Sequence, residues 1–310
     1  MPSVSEPTTV REAAAVFADA SRDGRRVSIG REGGDLVVST ARLDRVLEHA
    51  AGDLTATVEA GIRLSALDRH LAQAGQMLAL DPPGDPTVGA CIAANLSGPR
   101  RHRYGTARDL VLGVTLVLAD GTTASSGGKV VKNVAGYDLG KLLCGSGGTL
   151  GLIARVSLRL HPRPLAAGTL VRELDGSPEQ AWRLFRALQH STLVPSAVDL
   201  LWPDRLAALV EGGERAVEAQ LALGQELLGA READGAVWEE AAERQGAARG
   251  RISFTPGRLV DELRRVPAAL VRPAAGVAYL PDLVPDPTDE AVRRLTERVR
   301  HQFDPQGTLV

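Results

Sequence analysis

Apolar and polar residues alternate in short blocks through the first half of the chain, with a period that changes between that of a helix and that of a strand. Thr9 and Glu12 are spaced as a capping box, and the apolar positions after them predict a helix that ends near Gly24. Residues 26–29 and 36–38 have the composition of strands, and the glycine-rich turn 30–34 separates them. The pattern therefore predicts an α+β arrangement built from short units.

The same pattern continues to residue 164. Thr87 is a candidate N-cap for a helix with very small side chains, and Ser65 is a candidate N-cap for the helix before it. The further predicted elements are strands at 54–58, 112–118, 122–125 and 152–160 and helices at 65–74 and 137–144. The sequence His-Pro-Arg-Pro at 161–164 ends this unit, and we expect a domain boundary there.

The second half of the chain has longer elements. We expect strands at 168–172, 197–202, 207–211, 251–254 and 276–280, and helices at 178–189, at 215–228, from 257 and from 288. For residues 229–250 we expect helix or no regular structure. Single strands that alternate with helices in this way are typical of a small antiparallel sheet with helices on one face. The predicted domains are therefore 1–164 and 165–310, the second including a C-terminal return segment.

Composition and charge exclude several classes of protein. The 310 residues are 44% hydrophobic, and the formal net charge is −2. This charge is not that of a nucleic-acid-binding protein, and no apolar run is long enough to span a membrane. The N-terminus lacks the pattern of a signal peptide, so we expect a cytoplasmic protein. Two cysteines, Cys91 and Cys144, make neither a disulfide framework nor a zinc site, and we expect no metal.

Rare residue types are concentrated between residues 127 and 151. All the lysines of the chain, Lys129, Lys132 and Lys141, lie there, whereas every other long basic side chain is Arg. Asn133, one of two asparagines, lies in the same stretch. Arg does not replace Lys where a compact ammonium must fit, so the stretch is a candidate functional segment. The alternative is a packed helix end with incidental lysines.

The two glycine-rich blocks, together with this stretch, resemble a known family. The segments SGPRRHRYGTARDLVLG and GGKVVKNVAGYDLGKLLCGSGGTLG, with FDPQGTL near the C-terminus, are similar to the FAD-binding subunit of glycolate oxidase. That family has the FAD-binding domain of the PCMH or vanillyl-alcohol oxidase type. The resemblance implies a PCMH-type FAD-binding domain of two α+β subdomains, followed by a smaller α+β cap domain with an antiparallel sheet.

The resemblance also implies which residues bind FAD. It places the pyrophosphate on the first glycine-rich loop, the flavin ring against the second block and the adenosine half beside the last glycine run. The matching positions are Gly30, Gly33, Gly34, Thr87, Val88, Gly89, Ala90, Asn95, Ser97, Gly98, Tyr104, Gly105, Asp109, Gly145, Gly148, Leu150 and Ile153. Taken one at a time, each of these residues is as typical of a turn or of helix packing as of a cofactor contact.

Three departures from the family pattern matter for the cofactor. The first loop, GREGGD, is shorter than that of the family, and Ala90 replaces a glycine. The first loop also lacks the histidine that attaches flavin covalently in some relatives, so we expect non-covalent FAD. Lys129 and Asn133 are expected to support the loop that orders the flavin site or a subunit contact.

The resemblance implies an FAD-carrying subunit of a glycolate oxidase-like 2-hydroxy-acid dehydrogenase. The implied partners are a homologous catalytic flavoprotein subunit and an iron–sulfur subunit, which could hold the chain at the inner face of the membrane. The catalytic residues stay unassigned, because the second half of the chain contains His190 and His301 but no cluster of His and acidic residues. Two alternatives are a structural subunit that has lost FAD and a self-sufficient flavin dehydrogenase. Whether the chain is itself an enzyme stays open at this point.

Overall fold

A computed structural model describes residues 2–128, 138–285 and 288–310 of the chain. Lys129, Lys132, Asn133 and Tyr137, which the sequence analysis singled out, lie outside the described residues. Two α+β units in the first half are followed by a large antiparallel sheet with its own helices. This architecture confirms the predicted α+β class and the succession of a two-part domain and a second α+β domain.

The first unit is a small parallel sheet packed against one helix. Its strands have the order β1-β3-β2, and β1 and β2 each pair with β3 in parallel. The Thr9 side chain accepts a hydrogen bond from the backbone N–H of Glu12 and so caps the helix as predicted, but the Glu12 carboxylate accepts from the backbone N–H and hydroxyl of Thr8, so the capping box does not close on Thr9. The elements are β1 (Ser3–Ser5), α1 (Val10–Arg22), β2 (Val27–Ile29) and β3 (Leu36–Val38).

The second unit is a five-stranded antiparallel sheet in the order β4-β5-β9-β7-β8. A separate two-stranded ladder joins β6 to β10. The elements are β4 (Val46–Ala50), β5 (Thr55–Glu59), α2 (Leu64–Ala72), β6 (Gln76–Met77), α3 (Val88–Ala93), α4 (Arg101–Tyr104), α5 (Ala107–Leu110), β7 (Val111–Val117), β8 (Thr123–Gly127), α6 (Leu139–Leu143), β9 (Leu152–Arg159) and β10 (His161–Pro162).

Alternating side chains give the five-stranded sheet two apolar surfaces. Val58, Val156 and Leu158 pack with helices α2, α3 and α5 in one core. Val117 and Leu152 pack with α1 and the small parallel sheet in another core. Strand β9 therefore contributes side chains to both cores, and its pairing with β7 shifts register between Leu152 and Val156.

The predicted cap of α2 is wrong. Arg63 occupies the N-cap position without a side-chain hydrogen bond, and Ser65 lies inside the first turn. The Ser65 backbone N–H and hydroxyl both donate to the carboxylate of Asp85, 20 residues along the chain. A long-range partner therefore takes the hydroxyl that the local sequence pattern assigns to the helix end.

The second half forms a seven-stranded sheet in the order β14-β11-β13-β12-β16-β17-β15, with antiparallel pairing throughout. The elements are β11 (Ala166–Glu173), α7 (Pro178–Gln189), β12 (Ala197–Trp202), β13 (Arg205–Gly212), α8 (Glu214–Leu228), β14 (Arg231–Ala233), α9 (Ala236–Gly246), β15 (Gly250–Ser253), α10 (Leu259–Arg265), β16 (Ala269–Arg272) and β17 (Val277–Leu280). Helices α7, α8 and α10 cover one face, whereas α9 packs on the other face. Helices thus lie on both faces, and not on one face as the sequence pattern indicated.

The last helix, α11 (Glu290–Phe303), returns to the first half of the chain. Val299 and Phe303 pack against the core of the five-stranded sheet, and Leu309 packs against the core of the parallel sheet. The division at residue 164 stays a prediction. None of the helices among the described residues is both long enough and apolar enough to cross a membrane.

Candidate cofactor-binding cleft

A cleft of about 530 Å³ lies between the parallel sheet and the helical side of the five-stranded sheet. This volume is within the range of small-molecule and cofactor sites. Its floor and walls come from five short segments, and most of the lining side chains are small. The lining residues are Ile29, Gly30, Ser39, Thr40, Ala41, Asp44, Gly61, Ile62, Arg63, Ala66, Pro86, Thr87, Gly89, Ala90, Ala93, Gly147, Gly148, Gly151 and Ile153.

Two of the lining glycines let backbones approach closely. A Cβ on Gly61 would lie 1.8 Å from the carbonyl oxygen of Thr40, and one on Gly89 would lie 3.0 Å from the carbonyl oxygen of Ala60. Gly148 serves a different purpose, because its φ of +81° is unfavourable for residues with a side chain. The cleft therefore depends on glycine both for packing its walls and for turning the chain beside the opening.

The first glycine-rich loop contributes one residue to the cleft. Gly30 lines it, whereas Gly33 faces Val310 and Ser28, and Gly34 faces the Arg26 backbone and Val310. The Ser28 hydroxyl lies 2.8 Å from the carbonyl oxygen of Arg31 and 2.7 Å from that of Gly33, so it holds the loop from inside. The shorter loop is thus compact, with only its first glycine presented to a ligand.

The segment around Thr87 lies on the opposite wall. The Thr87 side chain accepts a hydrogen bond from the backbone N–H of Ala90 and begins α3, as predicted. Thr87, Gly89 and Ala90 line the cleft, and Val88 is fully buried in the core behind them. The methyl group of Ala90 is accommodated at the position where the family has glycine.

The segment from Asn95 to Gly98 lies beyond the end of the cleft. Asn95 has a left-handed φ of 47°, and its Oδ1 atom is buried without a hydrogen-bond partner. The Ser97 Oγ atom is likewise buried and without a partner. Unpaired buried polar atoms are costly, and a bound ligand is one way in which they become satisfied.

The second half of the chain covers this segment. The backbone carbonyl oxygen of Ser97 accepts hydrogen bonds from Gln245 Nε2 at 3.0 Å and from the Arg272 guanidinium at 3.1 Å. Arg272 also donates to Asp199 Oδ1 at 3.3 Å and to the Tyr279 hydroxyl at 3.2 Å. Burial raises the pKa of Asp199, and the Arg272 charge opposes this shift. The two halves of the chain therefore meet through a buried polar cluster at a predicted flavin-contacting residue.

A second set of contacts flanks this cluster. The carboxylate of Asp81 accepts from the backbone N–H of Arg100, and the Arg100 guanidinium pairs with Glu211 of β13 at 2.6 Å. Burial raises the pKa of Asp81 to about 6, against the opposing charge of Arg100. Gly98 fits because it has no Cβ, which would lie 1.7 Å from the carbonyl oxygen of Asp81.

Three other predicted residues shape the backbone away from the cleft. The Asp109 carboxylate accepts from the backbone N–H and hydroxyl of Thr106 in a capping box of α5. Gly105 has a φ of +84°, and an added Cβ would lie 2.7 Å from Asp109. The Tyr104 ring stacks on His161, with 4.8 Å between ring centroids. These contacts order the turn that follows the covered segment.

The last glycine run lies beside the first loop. Gly148 and Ile153 line the cleft, and Gly148 faces Ile29 of β2. Gly145 donates its backbone N–H to the carbonyl oxygen of Ile92, and Leu150 is buried in the core. The structure thus brings Gly30, Thr87, Gly89, Ala90, Gly148 and Ile153 together and places the other predicted residues behind or beyond the cleft. The assignment of FAD contacts to all these residues stays a prediction.

Several lining residues were missed by the sequence analysis. Ser39, Thr40 and Asp44 lie between β3 and β4, and Arg63 lies before α2. Arg63 donates to the backbone carbonyl oxygen of Asp85 at 2.7 Å, which places its cationic group at the rim. The sequence Ser-Thr-Ala after β3, with two hydroxyl side chains and one small side chain, was the signal that could have identified these lining residues.

The residues present fit FAD. Glycine turns at Gly30, Gly147 and Gly148 leave backbone accessible on the scale that a pyrophosphate requires, and small side chains at Ala90 and Ala93 leave room for a flat ring. The unpaired Asn95 Oδ1 and Ser97 Oγ atoms supply polar groups beyond the cleft end. No group of three or more metal-ligand side chains forms in the part of the chain that the structure describes.

Comparisons with known proteins agree with this site. Residues 3–127 match the FAD_binding_4 family, described as an FAD binding domain. The chain is 36% identical over 203 residues to glycolate oxidase subunit GlcE of Escherichia coli, a match that covers 64% of this chain and 56% of that protein. It is 39% identical over 170 residues to glycolate oxidase subunit GlcD of Bacillus subtilis, covering 54% of this chain and 36% of that protein.

A comparison of structures gives the same fold. Alkyldihydroxyacetonephosphate synthase superposes with a TM-score of 0.72 at 16% identity, covering 98% of this chain and 75% of that chain. At this identity the likeness concerns the fold alone. The sequence matches span 56% and 36% of the lengths of the two glycolate oxidase subunits. The predicted family resemblance and the FAD cofactor are confirmed: residues 3–127 of this chain match an FAD binding domain, and the relatives include two glycolate oxidase subunits.

Proposed function

We propose that this chain is the FAD-carrying subunit of a 2-hydroxy-acid dehydrogenase of the glycolate oxidase kind. The observation that carries the proposal is the glycine-lined cleft, in a chain that is similar along more than half its length to a glycolate oxidase subunit. Bound FAD supplies a two-electron acceptor for a substrate hydride or for electrons from another cofactor. The chain binds this group, orients it and excludes water from it.

The cleft residues divide this work. The backbone around Gly30, Gly147 and Gly148 holds the pyrophosphate, and the wall formed by Thr87, Gly89 and Ala90 supports the ribityl and flavin portion. Asn95 and Ser97 supply hydrogen-bonding atoms to the ring from the covered segment. No His, Cys or Tyr is among the described lining residues, which supports non-covalent attachment.

The surroundings of the covered segment support operation within a complex. Oxidation of a 2-hydroxy acid requires a base near the C2 hydroxyl and a cation for the carboxylate. His190 and His301, the histidines of the second half, are both exposed. Arg272 is already engaged by Asp199, Ser97 and Tyr279. The chemistry on substrate therefore belongs to a homologous catalytic flavoprotein subunit, with an iron–sulfur subunit as electron carrier.

The test is an absorbance spectrum of the purified chain, alone and with its partner subunits. We expect flavin bands and release of free FAD by acid, because the cofactor is held non-covalently. Colourless protein that takes up no FAD even with its partners would instead identify a structural subunit. Oxidation of glycolate or lactate by this chain alone, with an artificial electron acceptor, would identify a self-sufficient dehydrogenase.

A matched pair of variants tests the location of the cofactor. Gly148→Ala and Gly24→Ala both place a methyl group at a positive φ, +81° and +65°, without a neighbour closer than 3.7 Å. Each is expected to cost about 1 kcal/mol of stability from backbone strain. Only Gly148 lines the cleft, so Gly148→Ala is expected to raise the Kd for FAD about tenfold. Equal Kd values in the two variants would place FAD elsewhere.

A further inference from the structure

The C-terminal residues of the chain form an additional strand beside β2. The Val27 backbone N–H donates to the carbonyl oxygen of Thr308 at 2.6 Å, and the Val310 N–H donates to the carbonyl oxygen of Val27 at 3.0 Å. Val27 and Leu309 are a parallel bridge pair. The segment 308–310 therefore extends the small parallel sheet next to the strand that leads into the first glycine-rich loop.

Asp304 folds the chain so that this strand can form. Its Oδ1 accepts the backbone N–H of Thr308 at 2.9 Å, and its Oδ2 accepts that of Leu309 at 2.6 Å. Hydrogen bonds from N–H groups to a carboxylate are stronger than those to a neutral acceptor. One side chain thus connects the end of α11 to the added strand.

The added strand also holds the glycine-rich loop itself. The Arg31 guanidinium donates to the carbonyl oxygen of Val310 at 2.6 Å. Added Cβ atoms on Gly33 and Gly34 would lie 3.6 Å and 3.1 Å from the side chain of Val310. These glycines therefore face the C-terminal strand, which explains why the cleft receives Gly30 alone from this loop.

The helix before the strand contacts the other glycine run. Val299 of α11 and Cys144 both pack against the core of the five-stranded sheet, which contains Leu150. Leu295 and Val299 also line a hollow of about 280 Å³ together with the Gly145 turn. One continuous segment, residues 295–310, thus lies against both glycine-rich loops that flank the cofactor cleft.

We propose that Asp304 and Arg31 are positioning residues for FAD: through the C-terminal strand they hold the first glycine-rich loop in the conformation that presents Gly30 to the cofactor. Neither residue lines the cleft. They act through the backbone of residues 304–310. This backbone supplies rigidity that the shortened loop lacks by itself. The inference rests on FAD occupying the described cleft.

The test measures FAD affinity and loop protection in matched variants of the full chain. Arg31→Ala is paired with Arg25→Ala, since Arg25 lies in the same unit but donates to Ser3 and Asp35. Asp304→Ala is paired with Asp289→Ala, because Asp289 accepts a backbone N–H at the opposite end of α11. We expect each positioning variant to raise the Kd for FAD about tenfold, and each control less than about threefold.

Hydrogen exchange of the protein without FAD supplies a second readout. Amides of residues 27–34 are expected to exchange faster in the two positioning variants than in their controls. Arg31→Lys is expected to recover most of the affinity, since an ammonium can also donate to the Val310 carbonyl. Unchanged Kd and unchanged exchange in Arg31→Ala and Asp304→Ala would overturn the inference. If the wild-type chain takes up no FAD, the cofactor assignment fails. The exchange data then still show whether Arg31 and Asp304 hold the first glycine-rich loop.

Discussion

Replacement of Arg272 by Ala is expected to destabilise the protein more than replacement of an exposed arginine by Ala. The Arg272 and Asp199 side chains are 2% and 0% exposed, and their closest N–O distance is 3.3 Å. Arg272 also donates to Gln245, Ser97 and Tyr279. The change removes the only cation that contacts Asp199 among the described ion pairs, and it also removes the donors to Asp199 Oδ1 and Gln245 Oε1.

The magnitude follows from the cost of an unpaired buried charge. Breaking a buried ion pair by removing one partner costs roughly 3–5 kcal/mol. The free energy of unfolding of an ordinary domain is about 5–15 kcal/mol. The variant is therefore expected to fold, but with a much smaller free energy of unfolding. Since burial already raises the pKa of Asp199, protonation relieves the unpaired charge, and the loss is expected to shrink as the pH falls.

Urea unfolding followed by circular dichroism measures this loss. Arg251→Ala is the control, since Arg251 is exposed on the edge strand β15 of the same sheet and is expected to change stability by less than about 0.5 kcal/mol. The double variant Asp199→Leu with Arg272→Met removes both charges and is expected to recover most of the stability. A loss below about 1 kcal/mol in Arg272→Ala, independent of pH, would refute the reasoning.

Two further predictions concern the neighbouring contacts between the halves of the chain. Because burial raises the pKa of Asp81 to about 6, its contribution to stability is present at low pH and is lost as the pH rises through about 6. Between about pH 4 and pH 7 the unfolding free energy of Asp81→Asn should therefore gain about 3 kcal/mol relative to wild type, and a constant difference in urea titrations would contradict this. Gly98→Ala, whose Cβ would lie 1.7 Å from the Asp81 carbonyl oxygen, should cost about 3 kcal/mol in thermal unfolding. Gly84→Ala, with no neighbour within 4 Å, should cost about 1 kcal/mol from its positive φ, and equal losses would show that the close approach is relieved elsewhere.

Elements with a clear local signal, such as an apolar run or a capping residue, were predictable from the sequence. Strands 36–38 and 197–202 and helix 178–189 occupy the predicted residues, and Thr87 and Ser177 cap helices as expected. Capping, proline at the first turn of a helix and apolar periodicity all act within a few residues, so a short window of sequence contains the information. The glycine-rich segments were likewise recognisable as a family pattern.

Elements that exist through distant partners were not predictable. Strand β1 (Ser3–Ser5) is polar and forms because Leu36–Val38 offers it a parallel edge, and β4 (Val46–Ala50) forms against β5. Strand β16 (Ala269–Arg272) is buried on both faces between β12 and β17 and so has no alternating pattern. A strand without a hairpin neighbour derives its stability from tertiary contacts more than from propensity.

For the candidate site, the sequence by itself determined the residue types of the cofactor cleft: glycines at the turns, Thr87 at the start of α3 and small side chains along that helix. Only the tertiary structure decided which of them line it. It placed Gly30 in the cleft and turned Gly33 and Gly34 toward Val310, nearly three hundred residues away, and it covered Ser97 with Arg272 and Gln245. The reason is physical. A glycine turn is stable because of its local backbone geometry, whereas its orientation toward a ligand depends on which residues pack against the opposite side of the turn.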